Sequence, residues 1–290
     1  MNNMELILEE FADYAVKYAL DSGCQFCDVR AEKISQNGIT LENGEIEYSI
    51  SKNDEGLGIR VLNSGAWGFF SVSAPTSMEI IKEGVLKACK NALHSSEKKQ
   101  NRIEIFDAPT YKNKINFPVL KKPTIDEISK IGYNCDKIIR GEKRIIKSVV
   151  NLSFSSFSKY FVSSDDSKIT QNYTDTIADL TATANESGLT QSVNVTEGGR
   201  GGLEKITENK LDEVSQDISK KASTLIDAKP AKKEQGIVVM NPDFVGLLTH
   251  EILGHPSEAD RVLGKEMAWA GGAWWAGKIG TKIGSDVLNV

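Results

Sequence analysis

The chain has 290 residues, 40% of them hydrophobic and 26% charged, and 35 Lys+Arg against 40 Asp+Glu leave a net charge of −5. This balance excludes wholesale disorder and collagen-like repetition, and it lacks the basic footprint of a nucleic-acid binder. No run nears the ~18 apolar residues of a membrane span, and the acidic start MNNMELILEE has no basic leader region, so the expectation is a cytoplasmic protein that binds neither nucleic acid nor membrane.

Residues 3–22 place Ile7, Leu8, Phe11, Ala15 and Ala19 near a 3.6 spacing, which predicts an amphipathic helix stopped by Gly23. The period then falls to two: Cys27, Val29 and Ala31 alternate with Asp28, Arg30 and Glu32, as in a strand with one wet face. Asn37-Gly38, Asn43-Gly44, Asn53–Gly56 and Asn63-Ser64-Gly65 read as turns of an antiparallel meander. Thr76 and Glu79 read as a capping box opening a helix to about His94, where a cation suits the helix end. This first α+β domain is expected to span 1–105.

Residues 107–123 read as a linker, and Thr124 with Glu127 caps a helix to about Arg140. Alternation over 144–196 predicts a second set of strands, with turns at Asp165-Asp166 and Glu186–Gly188, and 210–227 a further helix. A second α+β domain is thus expected at 106–230, closed by a linker at 229–236. The glycine run Glu197–Gly202 lacks the G-K-[ST] ending of a phosphate loop and reads as a hinge or a place for close backbone approach. The predicted fold class is α+β: helices packed on antiparallel meander sheets in two layers, plus the start of a third, metal-binding domain at 231–290.

Four cysteines are too few for a disulfide scaffold. Cys24 and Cys27 form a C-x-x-C without a second ligand pair, so they read as small buried residues, with Cys89 and Cys135 standing alone.

The last part changes character. Ile237–Met240 predicts a short buried strand, and Asn241-Pro242-Asp243 a capped helix start. That helix carries His250, Glu251 and His255, two of the chain's three histidines around a carboxylate. Imidazoles are good zinc ligands, and a neighbouring carboxylate can take a proton from an activated water. In H-E-x-x-H the histidines stand about 40° apart on the helix; here a spacing of five gives about 140°, too wide for one ion. A π turn would bring positions i and i+5 onto one face, and Gly254 and Pro256 weaken the helix where that irregularity is needed. The plainer alternative is one buried and one exposed helix histidine. Glu258 and Asp260 read as outer partners or surface acids in preference to ligands, and Trp269, Trp274 and Trp275 as a groove wall or a packing surface.

THEILGHPSEADRVLG, AGKIGTKIGS and the stretch CDVRAEKISQNGITLENGEIEYSISKNDEGLGIRVLNSGAWGFFS together resemble the TldD/PmbA family, zinc metallopeptidases once named modulators of DNA gyrase. The resemblance covers nearly the whole chain, and the histidine motif places it with TldD-like members rather than motif-less partners. It implies zinc held by His250 and His255, Glu251 as general base, and cleavage of short or unfolded peptides bound in extended form within a homodimer or a heterodimer with a motif-less paralogue. Family members are considerably longer and take a third zinc ligand from a cysteine near their C-terminal end. Here SDVLNV reads as mid-strand and none of the four cysteines matches. The expectation is therefore a C-terminally truncated chain whose third ligand lies beyond Val290. Weak metal binding and little hydrolysis are expected from the 290 residues alone. The alternative function is a non-catalytic peptide-binding or dimerisation scaffold.

Overall fold

The computed structural model describes residues 3–99, 102–105, 107–230, 232–269 and 271–288, which divide into two units, 1–228 and 229–290. In the first unit, seven strands form one sheet: β1 (Phe26–Glu42), β2 (Glu45–Asn63), β3 (Ala66–Ser73), β4 (Lys112–Asn116), β5 (Ile145–Ser163), β6 (Lys168–Glu186) and β7 (Leu189–Arg200). Their order is β3-β2-β1-β5-β6-β4, with β7 also on β6; every pair is antiparallel except β4 with β6. Four helices accompany it, α1 (Asn3–Asp21), α2 (Met78–Lys98), α3 (Ile125–Arg140) and α4 (Glu208–Leu225). The α+β class with helices on antiparallel meanders is as expected. The two meanders are joined, however, through the β1–β5 ladder from Asp28↔Ser163 to Glu42↔Val149.

Side-chain parity shows how the helices lie. Cys27, Val29 and Ala31 of β1 join α1 and α2 in one core, while Ile39 and Leu41, on the same side of the same strand, join α3 in another. β5 does the reverse, giving Val150, Leu152 and Phe154 to the second core and Tyr160 and Val162 to the first. Both helix pairs therefore cover one face of the sheet, stacked along the strands. The fully buried Ile, Leu and Val side chains there contribute about 1.5–3 kcal/mol each. The opposite face carries cation–aromatic pairs: Arg30 stands 5.0 Å over Phe161, and Arg200 4.1 Å over Tyr173. Asp28, nearly sealed from solvent, accepts from Arg30 Nη1 at 2.6 Å and from Arg60 Nε at 2.8 Å, tying β1 to β2.

Several local expectations need correction. Asn37-Gly38 and Asn53–Gly56 are not turns; both lie mid-strand in the long β1–β2 ladder, Asn37-Gly38 opposite Ser51 and Ile50 and Asn53–Gly56 opposite Ser35 to Glu32. A Cβ on Gly38 would stand 2.7 Å from the Leu152 carbonyl oxygen, so this glycine answers a close strand approach. Asn43-Gly44, Ser64-Gly65 and Ser187-Gly188 are hairpin turns, each with positive φ at both residues as tight type I′ turns require, and Asp165-Asp166 turn β5 into β6 as expected. The cap of α2 is Ser77, whose side chain accepts from Ile80 N, not Thr76, and the helix runs on past His94 to Lys98. Thr124 and Glu127 do form the reciprocal capping box of α3. The supposed linker at 107–123 contributes the parallel edge strand β4.

The glycine run is no hinge. Gly198, at φ 137, pairs against β6 with its Cβ position 2.1 Å from the Thr176 carbonyl oxygen; at Gly202 the same position is 2.1 Å from that of Lys121. Glu204 fastens this crossing by accepting from the backbone N–H groups of Gly202 (2.8 Å), Lys121 (3.1 Å) and Leu120 (3.3 Å). Burial alone would push its carboxyl up, but these N–H groups outweigh burial and bring it to about 2, from an ordinary 4.5. A carboxylate with a depressed folded value stabilises the fold above its unfolded value, and that contribution is lost as pH falls through the folded value. Glu204→Gln is thus expected to melt earlier than wild type at neutral pH. The gap should shrink between pH 4.5 and about 2 and vanish below, as read by thermal melts across that range. A gap independent of pH would show that the charge is not what fastens the crossing.

Candidate metal centre

The second unit begins with an exposed run. Ile237, Val238 and Val239 are 98%, 78% and 92% exposed and form no strand, contrary to the expectation. Apolar composition alone makes no strand without a neighbour to take its backbone hydrogen bonds, and no strand forms among the described residues of this unit. Asn241 then caps α5 (Pro242–Thr249), its side chain accepting from Phe244 N at 3.0 Å, with Pro242 in the first turn.

From His250 to Gly254 the helix widens into a π turn, closed by His255 N–H donating to the His250 carbonyl. The cause lies in Pro256. It has no N–H, so the Ile252 carbonyl loses its ordinary helical donor; the Trp274 indole Nε1 donates to that carbonyl instead, at 3.0 Å. Gly254 matters less than expected. Its φ of −63 suits any residue, and a Cβ there would meet the His250 ring at an ordinary 3.7 Å. A short 3-10 turn, His255–Ser257, and α6 (Ala259–Val262) follow.

The π turn places His250 Nε2 and His255 Nε2 3.0 Å apart, their rings at 77°. One ligand atom from each of His250, Glu251 and His255 falls within 4.8 Å of the others, and Glu251 Oε2 lies 3.9 Å from His255 Nε2. Two nitrogens bound at 2.0–2.1 Å to one tetrahedral ion stand about 3.3 Å apart, so this donor set and spacing fit a zinc-like cation with little movement. His255 Nδ1 donates to Glu258 Oε1 at 2.9 Å, the outer carboxylate contact that orients a ligating imidazole. That bond and the nearby Arg261 guanidinium hold Glu258 below the usual carboxylate range. Asp260 instead accepts from the backbone N–H of Arg261, outside the cluster.

His250 and Glu251 are exposed and His255 half-buried, so the cluster is open to solvent. No cysteine joins it: Cys24, Cys27, Cys89 and Cys135 are all buried in the first unit. Residues 285–288 form a turn rather than the expected strand, and Asn289 and Val290 lie outside the described residues. Sequence reasoning missed the part played by Trp274; the one available signal was a proline that had to orphan a carbonyl, which implies a donor elsewhere.

Two family models match the chain, PmbA/TldA metallopeptidase domain 1 over residues 27–96 and the central domain of the same metallopeptidases over 118–226. A metalloprotease of Methanocaldococcus jannaschii is 33% identical over 300 residues, covering 100% of this chain and 60% of that protein. A zinc metalloprotease TldD homolog of Saccharolobus solfataricus is 25% identical, covering 95% of this chain and 58% of its own length. The chain thus spans about 60% of the length of the curated relatives it matches. Among solved structures, a protein from Bacteroides thetaiotaomicron described as a candidate modulator of DNA gyrase superimposes with a TM-score of 0.66 at 16% identity, covering 88% of this chain and 58% of that one. TldE from Thermococcus kodakarensis does so with a TM-score of 0.52 at 12% identity, over 74% and 47%. These likenesses concern the fold. Among the described residues, no helix is long and apolar enough to cross a membrane.

Proposed function

The chain belongs to the PmbA/TldD metallopeptidase family, and from that premise we propose that it acts in zinc-dependent hydrolysis of short or unfolded peptides, with His250 and His255 as metal ligands and Glu251 as general base. The observation that carries this reading is the π turn that directs both imidazoles to one point beside a carboxylate. A zinc ion held there supplies Lewis acidity, polarising a carbonyl oxygen and making a water a stronger acid. The protein's own part follows from geometry. Glu251 is exposed beside the imidazole pair, where it can accept a water proton at Oε2 and pass it to the departing amide nitrogen. Glu258 keeps the Nδ1 proton of His255 in place, leaving Nε2 free to ligate. The names of the metalloprotease relatives support the same activity.

Metal binding tests the ligand assignment. His250→Ala and His255→Ala should each abolish the weak zinc uptake expected of this cluster, whereas Glu258→Ala should weaken it by about 10–100-fold, as losing an outer partner does. Zinc bound equally well by all three variants would leave the reading without its site.

Three parts are proposed for the chain: 1–105, 106–230 and 231–290. In support, the two family models fall within the first two, and the compact units divide at 228/229. A partner is proposed as well, either a second copy or a motif-less paralogue; the fold likeness to TldE supports it. A second reading, a non-catalytic scaffold that binds peptides, is favoured by one observation: among the described residues the cluster has two imidazoles and no third residue beyond Glu251. Peptide binding that is indifferent to chelators and to His250→Ala would select it.

A further inference from the structure

Cys24 sits in the turn after α1 and Cys89 on α2, 65 residues away in sequence, and their Sγ atoms stand 2.9 Å apart within the first core. A disulfide needs about 2.05 Å, so roughly 0.9 Å of approach closes the bond. Both ends are held. Cys24 N donates to the Ala19 carbonyl at 3.1 Å, and Cys89 lies mid-helix. Neither is fully sealed, at 6% and 7% exposure, whereas Cys27 and Cys135 are at 0%.

We propose that Cys24 and Cys89 form a disulfide-bond site, oxidised by hydrogen peroxide or a comparably small peroxide. The Cys89 thiolate attacks one peroxide oxygen and the O–O bond breaks. The leaving hydroxide takes a proton and departs as water, and Cys89 becomes a sulfenic acid. The Cys24 sulfur then attacks the Cys89 sulfur, the S–O bond breaks, and a second water leaves with the Cys24 proton. The two thiols together lose two electrons, and the peroxide gains them.

The order of attack follows from the pair's own hydrogen bond, which holds the Cys89 thiol below its ordinary value and, with burial, pushes Cys24 up. Cys27 is a poor competitor despite the C-x-x-C spacing: burial and then the Asp28 charge push it up to about 12. The bridge would lock the α1–β1 turn to α2, shrinking the unfolded ensemble more than the folded one. It is independent of the metal centre, since all its atoms lie in the first unit.

The test uses the reduced full chain, treated with hydrogen peroxide under native conditions. Remaining thiols are then alkylated and the chain mapped by non-reducing peptide mass spectrometry. The expected result is a fall from four free thiols to two, a linked Cys24–Cys89 peptide, and a melting temperature raised by several degrees until dithiothreitol is added. Cys27→Ser should still give the linked peptide and the raised melting temperature, its free thiols falling from three to one, and Cys89→Ser should give neither. A Cys24–Cys27 bridge would overturn the proposal. So would Cys89 oxidised to sulfinic acid without a bridge, or four thiols that react only after unfolding. The wild-type map decides the matter even if a serine variant fails to fold.

Discussion

Replacing Glu251 by Gln is expected to lower whatever peptide hydrolysis the zinc-loaded protein performs, weak as it is expected to be from these 290 residues alone, by about 10²–10⁴-fold, the usual worth of a positioned proton-transfer group, while metal content stays at the wild-type level. The two halves of that expectation rest on different atoms. The imidazole Nε2 atoms converge without help from Glu251, because the π turn and the Trp274 hydrogen bond to the Ile252 carbonyl set their spacing. Glu251 is 57% exposed and accepts no hydrogen bond from a ring nitrogen, its nearest approach to His255 Nε2 being 3.9 Å. Gln keeps its size and loses its basicity. Zinc content by atomic absorption and cleavage of a quenched unfolded peptide, read side by side, separate the outcomes. Loss of both would make Glu251 a ligand rather than a base, and loss of neither would remove it from the mechanism.

What made this centre legible in the sequence was a conflict: a ligand-rich motif at a spacing that a regular helix cannot use, beside a proline that a regular helix cannot accommodate. One irregularity resolved both, so its form could be anticipated. Ile237–Met240 offered no such check. Four apolar residues read as strand on composition alone, and without a hydrogen-bonding neighbour they lie exposed. The false turns at Asn37-Gly38 and Asn53–Gly56 arose differently. β1 and β5 each run beneath both helix pairs, so the strand middles at Lys33–Asn37 and Ser155–Ser158 lie between two cores and have no helix to bury against. Polar residues and glycine there have the composition of a loop, although the ladder runs through unbroken. Local composition reports burial; it identifies a turn only where positive φ is demanded, as at Asn43-Gly44. The Cys24–Cys89 contact was beyond sequence reasoning for a similar reason. It joins elements 65 residues apart, and C-x-x-C drew attention to the wrong partner.

Gly68→Ala is expected to destabilise the first unit by about 3 kcal/mol, the upper range for forced overpacking, lowering the melting temperature by about 6–12 °C. Gly68 lies in β3 opposite Val61, where α2 crosses the sheet. A Cβ there would stand 2.0 Å from the Ala88 carbonyl oxygen, 2.5 Å from Ala92 N and 2.9 Å from Ala92 Cβ. None of these atoms is the end of a flexible side chain, so no rotamer change relieves the clash. The helix itself must lift. Because Ala88 and Ala92 are fully buried alongside Ile81 and Val85, lifting α2 also opens voids in the core that α1, α2 and the sheet share. Gly23→Ala is the matched control. Gly23 has φ 85 and no atom within 4 Å of its Cβ position, so the substitution meets backbone strain but no clash, at about 1–2 kcal/mol. Urea unfolding of both variants should therefore rank Gly68→Ala well below Gly23→Ala. The reverse order would mean that α2 does not rest on β3 through bare backbone, and that small residues at Ala88 and Ala92 are not what brings helix and sheet together.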